Sequence, residues 1–249
     1  MFLFRVGSAI DVNSVEYSEV RHIGAETLGV HAAIQLKLEP LLKKLGFNQK
    51  KCHLAMASII GRLVAPGSEA STHRYLTDQS ALDELLGTSF TDLSQKNFYK
   101  IADDLLKHKE QIERALFNRE KTLFSLNQII TLYDITNTYF EGRALQNIKA
   151  QHGRSKEKRS DCPLVSMGLV LDSSGFPQRS GIFPGNVSEP KTLSQMLEQL
   201  EAKTDATIVM DAGFASEENV QWLQENNYHY IVVSRQATPP LDDSAEKIL

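Results

Sequence analysis

The stretch IITLYDITNTYFEG, residues 129–142, decides the fold of this 249-residue chain. It begins with an apolar, β-branched run at 129–133, which predicts a strand, and Asp134 follows that run directly. A second stretch, IVMDAGFAS at 208–216, repeats the arrangement and places Asp211 after a short apolar run. We therefore expect each aspartate at the point where the chain leaves a sheet.

Further apolar runs give the order of elements around these two stretches. The runs at 164–171 and 179–183 are separated by turn residues, which predicts an antiparallel pair. The rest of the second half predicts two helices and two strands, in the order helix 188–202, strand 207–210, helix 216–226 and strand 230–233. The resulting order, β-β-β-α-β-α-β, matches the ribonuclease H-like topology, in which three antiparallel strands precede crossover units that add parallel strands. We predict an α/β fold with such a mixed sheet.

The first half of the chain has helical periodicity and few strand signals. A leucine-rich segment at 36–45 ends at Gly46, and an apolar segment at 52–64 predicts a buried central helix. Ser68 is expected to cap a short helix, and Ser94 to cap the longest one, which extends through Phe117. The predicted domains are therefore an all-helical domain at 1–126 and an α/β domain at 127–249.

Composition limits the location and the function class. No apolar stretch approaches the roughly 20 residues that cross a bilayer, and the first residues do not form a signal peptide, so we expect a cytoplasmic protein with no membrane partner. Cys52 and Cys162 lack the spacing of a zinc site or a disulfide framework. The net charge of −4 argues mildly against nucleic-acid binding, but most of the acidity lies in the second half.

One local segment is basic enough to hold phosphates. It is residues 149–159, which include Arg154, Lys156, Lys158 and Arg159. On charge alone, a DNA-binding segment and a solvated loop are equally good interpretations.

The strand assignment predicts that the two aspartates meet. If the strand before Asp134 lies parallel to the strand before Asp211, both carboxylates emerge at the same edge of the sheet. Phosphoryl transfer on DNA uses two divalent ions about 4 Å apart, held by carboxylates. Either aspartate alone is better explained as an end-of-strand turn residue, but the pair favours a metal site.

Four segments, in order, resemble the DDE transposases of bacterial insertion sequences. They are DITNTYFE at 134–141, GRSKEKRSD at 153–161, PGNVSE at 184–189 and DAGF at 211–214. The resemblance implies a ribonuclease H-like catalytic domain in which Asp134 and Asp211 are catalytic acids and metal ligands. It also implies a two-metal site for Mg²⁺ or Mn²⁺, DNA strand cleavage and strand transfer, and a homodimer on the element's terminal repeats and target DNA.

The sequence does not contain the motif in which that family places its third catalytic acid. The type with a β-rich insertion places a glutamate within Tyr-x2-Arg-x3-Glu-x6-Lys, which does not occur here. A C-terminally truncated transposase is the simpler expectation. Glu246, with 34 residues between it and Asp211, is the weaker candidate for the third acid. A second interpretation is an inactive remnant that binds DNA or dimerises.

Other enzyme classes fit the sequence poorly. An aspartyl phosphatase would need a second acid at position 136, which is threonine. A P-loop, a dinucleotide fingerprint and the Gly-x-Ser-x-Gly elbow of serine hydrolases are also missing from the sequence.

Overall fold

The computed structural model describes residues 20–124, 130–153, 159–188, 190–198 and 206–232; within β1 the side chains of 130–132 are not described. The chain divides into two compact units, Met1–Lys109 and Glu110–Leu249. The domain boundary between residues 126 and 127 stays a prediction.

The first unit is helical, as predicted. Its helices are α1 (Gly24–Gln35), α2 (Leu38–Lys44), α3 (Gln49–Val64), α4 (Glu69–Asp78), α5 (Leu82–Leu85) and α6 (Gln95–Lys107); α7 (Lys109–Phe124) follows. No helix in the described part of the chain is long and apolar enough to cross a membrane.

Local sequence signals explain where these helices begin. The Ser68 hydroxyl accepts a hydrogen bond from the Ser71 backbone N–H at 3.3 Å, and Ser94 forms a capping box with Asn97. Both predicted caps are confirmed. Gly46 has a φ of +90°, a left-handed conformation that glycine adopts without strain, and it ends α2 as predicted.

The prediction of one long helix from Ser94 through Phe117 is wrong. The chain leaves helical geometry at His108, with φ −108° and ψ 11°, so α6 ends at Lys107 and α7 begins at Lys109. The spacing of the apolar residues explains this break. Along one helix face apolar residues recur every three or four positions, whereas Leu106 and Ile112 are six positions apart.

A buried carboxylate in the first unit was not predicted. Glu26 on α1 is inaccessible to solvent and accepts hydrogen bonds from the hydroxyls of Tyr75 and Ser80, which joins α1 to α4 and the turn after it. Burial raises the pKa of Glu26, but the hydrogen bonds and the nearby His22 together leave that pKa below its ordinary value.

The second unit contains a five-stranded mixed sheet in the order β3-β2-β1-β4-β5. The strands are β1 (Ile130–Tyr139), β2 (Leu164–Asp172), β3 (Pro177–Pro184), β4 (Thr207–Met210) and β5 (His229–Val232), with α8 (Pro190–Leu197) and α9 (Glu217–Glu225) as the crossover helices. β1, β2 and β3 are antiparallel neighbours, whereas β4 and β5 are added in parallel to β1. This order and these directions are those of the ribonuclease H-like fold, and that prediction is confirmed.

One face of the sheet carries the core of this unit. Its buried side chains come from the strands, from α8 and α9, and from the loop after β4, and include Val170, Ile208, Leu193, Leu197 and Leu223. At Gly181 on β3 an added Cβ would lie 2.5 Å from the Met196 sulfur, so the glycine allows α8 to pack closely on the sheet.

The predicted end of the first strand is wrong. β1 does not stop before Asp134 but continues to Tyr139, and Asp134 is paired with Leu169 of β2. The continuation, 135–139, remains hydrogen-bonded to β2, and its residues are mostly β-prone. On the other side of β1 the pairing with β4 ends at Tyr133. Asp134 therefore lies inside a strand, just beyond the end of its parallel neighbour.

Candidate active site

The structure brings Asp134 and Asp211 together. Tyr133 and Met210 form the last pair of the parallel β1–β4 ladder, and each aspartate follows its member of that pair. Both aspartates are exposed and both line one open groove of ≈ 500 Å³. The strand topology thus produces the proximity that the sequence predicted, although only one of the two strands ends there.

Backbone hydrogen bonds orient both carboxylates. Oδ1 of Asp134 accepts from the Ile135 N–H at 2.7 Å, and Oδ1 of Asp211 accepts from the Gly213 N–H at 2.8 Å. The Asp211 carbonyl also accepts from the Phe214 N–H at 3.2 Å, which makes a tight turn directly after β4. Within the described part of the chain, Oδ2 of Asp211 receives no hydrogen bond and is available to a ligand.

Two buried aromatic rings, those of Tyr133 and Phe214, pack in the core next to the two aspartates in sequence. Tyr133 precedes Asp134, Phe214 follows Asp211 by three residues, and their ring centroids lie 4.9 Å apart at 62°. The Tyr133 hydroxyl donates to Thr192 Oγ1 on α8 at 2.7 Å. Edge-to-face packing of this kind stabilises a pair by about 1 kcal/mol beyond simple burial. The two acidic motifs are therefore coupled through the core as well as through the strand pairing.

The groove beside the aspartates is largely apolar. Its sheet wall is formed by Met167, Leu169 and Leu171 of β2 and by Val209 of β4. Thr136 lies on the same side of β1 as Asp134, two residues along the strand, and lines the groove as well. Among the lining residues, carboxylates occur only at the two aspartates. The negative charge of the groove lining is therefore concentrated at that pair.

The two aspartates fit a hard divalent cation. Mg²⁺ is commonly bound by one or two carboxylates and completes its octahedral shell with waters and substrate phosphates, and carboxylates also suit Mn²⁺. The described residues contain no group of three or more histidine, cysteine, aspartate or glutamate side chains placed to hold a metal. The third acid of a two-metal site is therefore not among them. Glu246, the weaker candidate, lies outside the described residues.

Arg159, predicted to contact DNA, is already engaged by acids. Its guanidinium pairs with Asp161 at 2.6 Å and with Glu141 at 3.0 Å, and it lies 5.6 Å from the Tyr139 ring centroid. The hydrogen bonds from Arg159 lower the pKa of Asp161 to about 2, so this carboxylate stays charged. A DNA phosphate would have to compete with two carboxylates for this arginine.

The other predicted DNA contacts cannot be placed. Arg154, Lys156 and Lys158 lie outside the described residues. DNA contact by all four cations stays a prediction.

Two glycines hold the flanks of this basic segment against the sheet. Gly185 donates its N–H to the Lys149 carbonyl at 3.1 Å, and Gln151 and Leu164 exchange two backbone hydrogen bonds at 3.0 Å. A Cβ added at Gly153 would collide with the Gly185 carbonyl oxygen. Two of the segments that carried the family resemblance are thus packed directly on each other. The order of these segments in the sequence does not predict this contact, because it forms only in the folded backbone.

Comparison with known proteins agrees with this geometry. Residues 127–243 match the protein family described as the transposase DDE domain. This segment of the chain belongs to that family. The matched segment contains both aspartates and all five strands of the sheet. The predicted family resemblance is confirmed, and a search of the curated proteins gave no match.

Solved transposase structures are similar to the chain at low identity. The piggyBac transposase synaptic complex with hairpin DNA has 10% identity and a TM-score of 0.38, over 77% of this chain and 43% of that one. The Mos1 transposase paired-end complex with the left transposon end has 10% identity and a TM-score of 0.30, over 70% and 57%. The chain therefore spans about half the length of these two proteins. Because these TM-scores are low, the fold of the second unit is assigned from the order and directions of its strands.

Proposed function

We propose that the chain is a DNA transposase of a bacterial insertion sequence, which cleaves a DNA strand and transfers it to a target with the help of a divalent metal ion. The observation that carries the proposal is the side-by-side position of Asp134 and Asp211, beyond the last β1–β4 pair of a transposase DDE domain. The proposed substrates are the ends of the mobile element and the target DNA. A homodimer on DNA and a cytoplasmic location belong to the same proposal.

Asp134 and Asp211 are the residues that would hold the metal. Mg²⁺ or Mn²⁺ bound there would polarise a phosphoryl oxygen and lower the pKa of a bound water, which is the chemistry that DNA hydrolysis needs. The hydrogen bonds from Ile135 and Gly213 fix the two carboxylates before a ligand arrives. Such preorganisation avoids the cost of ordering the groups during the reaction.

The protein also shapes the space around the scissile phosphate. The wall of Met167, Leu169 and Val209 is apolar and limits water to the open side of the groove. Thr136 provides a hydroxyl at the same wall, within the strand that carries Asp134. Efficient cleavage requires a further carboxylate, and we expect these two aspartates alone to support weak cleavage or none.

A second candidate function is DNA binding or dimerisation without catalysis. It is favoured by one observation, the lack of a third metal-ligating side chain near the aspartates in the described part of the chain. A protein of this kind would need no metal and could interfere with an active transposase by forming mixed dimers. The two candidates differ in whether the aspartate pair binds a cation.

Calorimetric titration with Mn²⁺ separates the two candidates. We expect one Mn²⁺-binding event that Asp134→Asn or Asp211→Asn weakens by at least ~100-fold, because loss even of an outer-shell partner costs about 10–100-fold in metal affinity. Asp92→Asn is the matched control, since Asp92 is exposed and lies in the loop before α6. If all three variants bind Mn²⁺ as the parent does, the aspartate pair is not a metal site. DNA binding without any Mn²⁺ binding would support the second candidate.

A further inference from the structure

A groove between α3 and α6 in the first unit is rich in lysine. It has a volume of ≈ 310 Å³, and the lysines that line it are Lys50, Lys51, Lys100 and Lys107. We refer to it as the lysine groove. It lies within the first unit, outside the segment that matches the transposase DDE domain.

The acids of the lysine groove neutralise only part of its charge. Asp103 and Asp104 are the acids that line it, against four lysines, which leaves a surplus of two positive charges. Asp104 binds Lys51 at 2.7 Å through Oδ2 and Lys107 at 3.1 Å through Oδ1. Those hydrogen bonds, with that from Lys51 the stronger, lower the pKa of Asp104 and keep it ionised. One carboxylate therefore draws two ammonium groups to the same rim.

The remaining two lysines are available to a ligand. Lys50 and Lys100 are exposed, and within the part of the chain that the structure describes neither forms an ion pair. Lys50 lies in the first turn of α3, where the free backbone N–H groups add a partial positive charge. Both lysines can approach an anion without breaking an existing ion pair.

The lining of the lysine groove is suited to contact with phosphates and not to recognition of base edges. Its floor contains Leu54 and Ile101, which are buried and apolar. The acceptor oxygen of Asn97, Oδ1, is already engaged, because it accepts from the Ser94 backbone N–H at 2.8 Å. Sequence-specific recognition relies on hydrogen bonds to base edges, whereas lysine contacts to phosphates position a nucleic acid regardless of sequence.

The spacing of the lysines suits a polyanion. Lys100 and Lys107 are seven residues apart on α6, which corresponds to ~10 Å along the helix axis. Duplex DNA presents one negative charge per about 1.7 Å of its axis, so a span of this length faces several phosphates. A small anion would engage only one end of the groove.

We propose that the lysine groove binds the phosphate backbone of double-stranded DNA without sequence preference. This inference deepens the proposed transposase function and rests on it, because it assigns to the helical unit a part in holding the DNA substrate. The acidic second half of the chain makes such a contact useful, since DNA must be held near two aspartates that repel it.

Fluorescence anisotropy with the full chain and a labelled duplex of arbitrary sequence tests the proposal. The variant is Lys50→Gln/Lys100→Gln, which removes the two lysines without ion pairs. Affinity should fall most at low salt, and the slope of log K against log salt should decrease in magnitude by about 2, since each phosphate contact contributes ~0.9. Lys44→Gln/Arg74→Gln removes two exposed cations that do not line the groove, and its slope should match the parent.

A second variant tests the charge argument in the opposite direction. Asp104→Asn removes the acid that holds Lys51 and Lys107, so DNA affinity at low salt should rise. Circular dichroism is the control measurement that shows whether each variant is folded. An unchanged slope in Lys50→Gln/Lys100→Gln would overturn the proposal, as would a parent chain that binds anionic lipid vesicles or an acidic peptide through these lysines but not DNA. Mn²⁺ titration of the same variants keeps the two proposals distinct, because the groove variants should bind Mn²⁺ as the parent does.

Discussion

Replacement of Gly185 by alanine is expected to lower the free energy of unfolding of the second unit by at least ~3 kcal/mol, the upper part of the usual range for overpacking. A Cβ at this position would collide with the Leu164 carbonyl oxygen and would lie 2.5 Å from the Gln151 carbonyl oxygen. Both are backbone atoms held by the hydrogen bonds that Gln151 and Leu164 exchange. They cannot rotate away as a side chain would, so the added methyl group must displace a strand.

Urea denaturation followed by tryptophan fluorescence measures this effect. The chain has one tryptophan, Trp222, which stacks on Tyr228 in the second unit at 5.9 Å between ring centroids. Gly142→Ala is the matched control, because a Cβ there meets no atom within 4 Å, and its midpoint should stay close to that of the parent. A Gly185→Ala protein with the parent's midpoint would show that these segments are not packed as described.

Phe214→Ala is expected to cost ~4 kcal/mol of stability, a typical value for removing a large buried aromatic ring. The Phe214 ring is inaccessible to solvent and packs edge to face on Tyr133. Its loss leaves a cavity under the loop that carries Asp211. The same urea titration measures the change in unfolding free energy.

Phe124→Ala provides the comparison for that substitution. Phe124 also stacks on an aromatic ring, Phe176, at 4.8 Å, but its side chain is 55% exposed. The same deletion should therefore cost clearly less at Phe124 than at Phe214. Equal losses at both positions would contradict the assignment of Phe214 to the core that holds the two acidic motifs.

The order of elements could be predicted because each follows from a local pattern. The β-branched run before Asp134, the turn at 172–177 and the helical spacing after Ser216 each favour one conformation over short range. Once the order was known, the handedness and proximity rules of parallel β-strands left few topologies. The proximity of Asp134 and Asp211 followed from that topology.

The features that escaped prediction depend on contacts between distant residues. β1 continues past Asp134 because β2 pairs with it there, and an aspartate in the middle of a strand is disfavoured by propensity alone. The contact between Gly153 and Gly185 joins segments that are 32 positions apart in sequence. No local pattern encodes such a pair, which exists only after the sheet has formed.

The lysine groove of the first unit also could not be predicted from the sequence. Its composition is nearly neutral, so the sequence alone shows no basic region there. Lys50 and Lys100 come together only because α3 packs against α6. The segment that did look basic in the sequence contains Arg159, whose charge is met by Asp161 and Glu141.

The central claim is that Asp134 and Asp211 form one cation site, and methyl NMR with substoichiometric Mn²⁺ tests it most directly. A paramagnetic ion bound between the aspartates should broaden the methyl signals of Met167, Leu169 and Val209, which line the same groove. Asp211→Asn should remove the broadening. Broadening that is confined to other parts of the protein, or that persists in Asp211→Asn, would contradict the account.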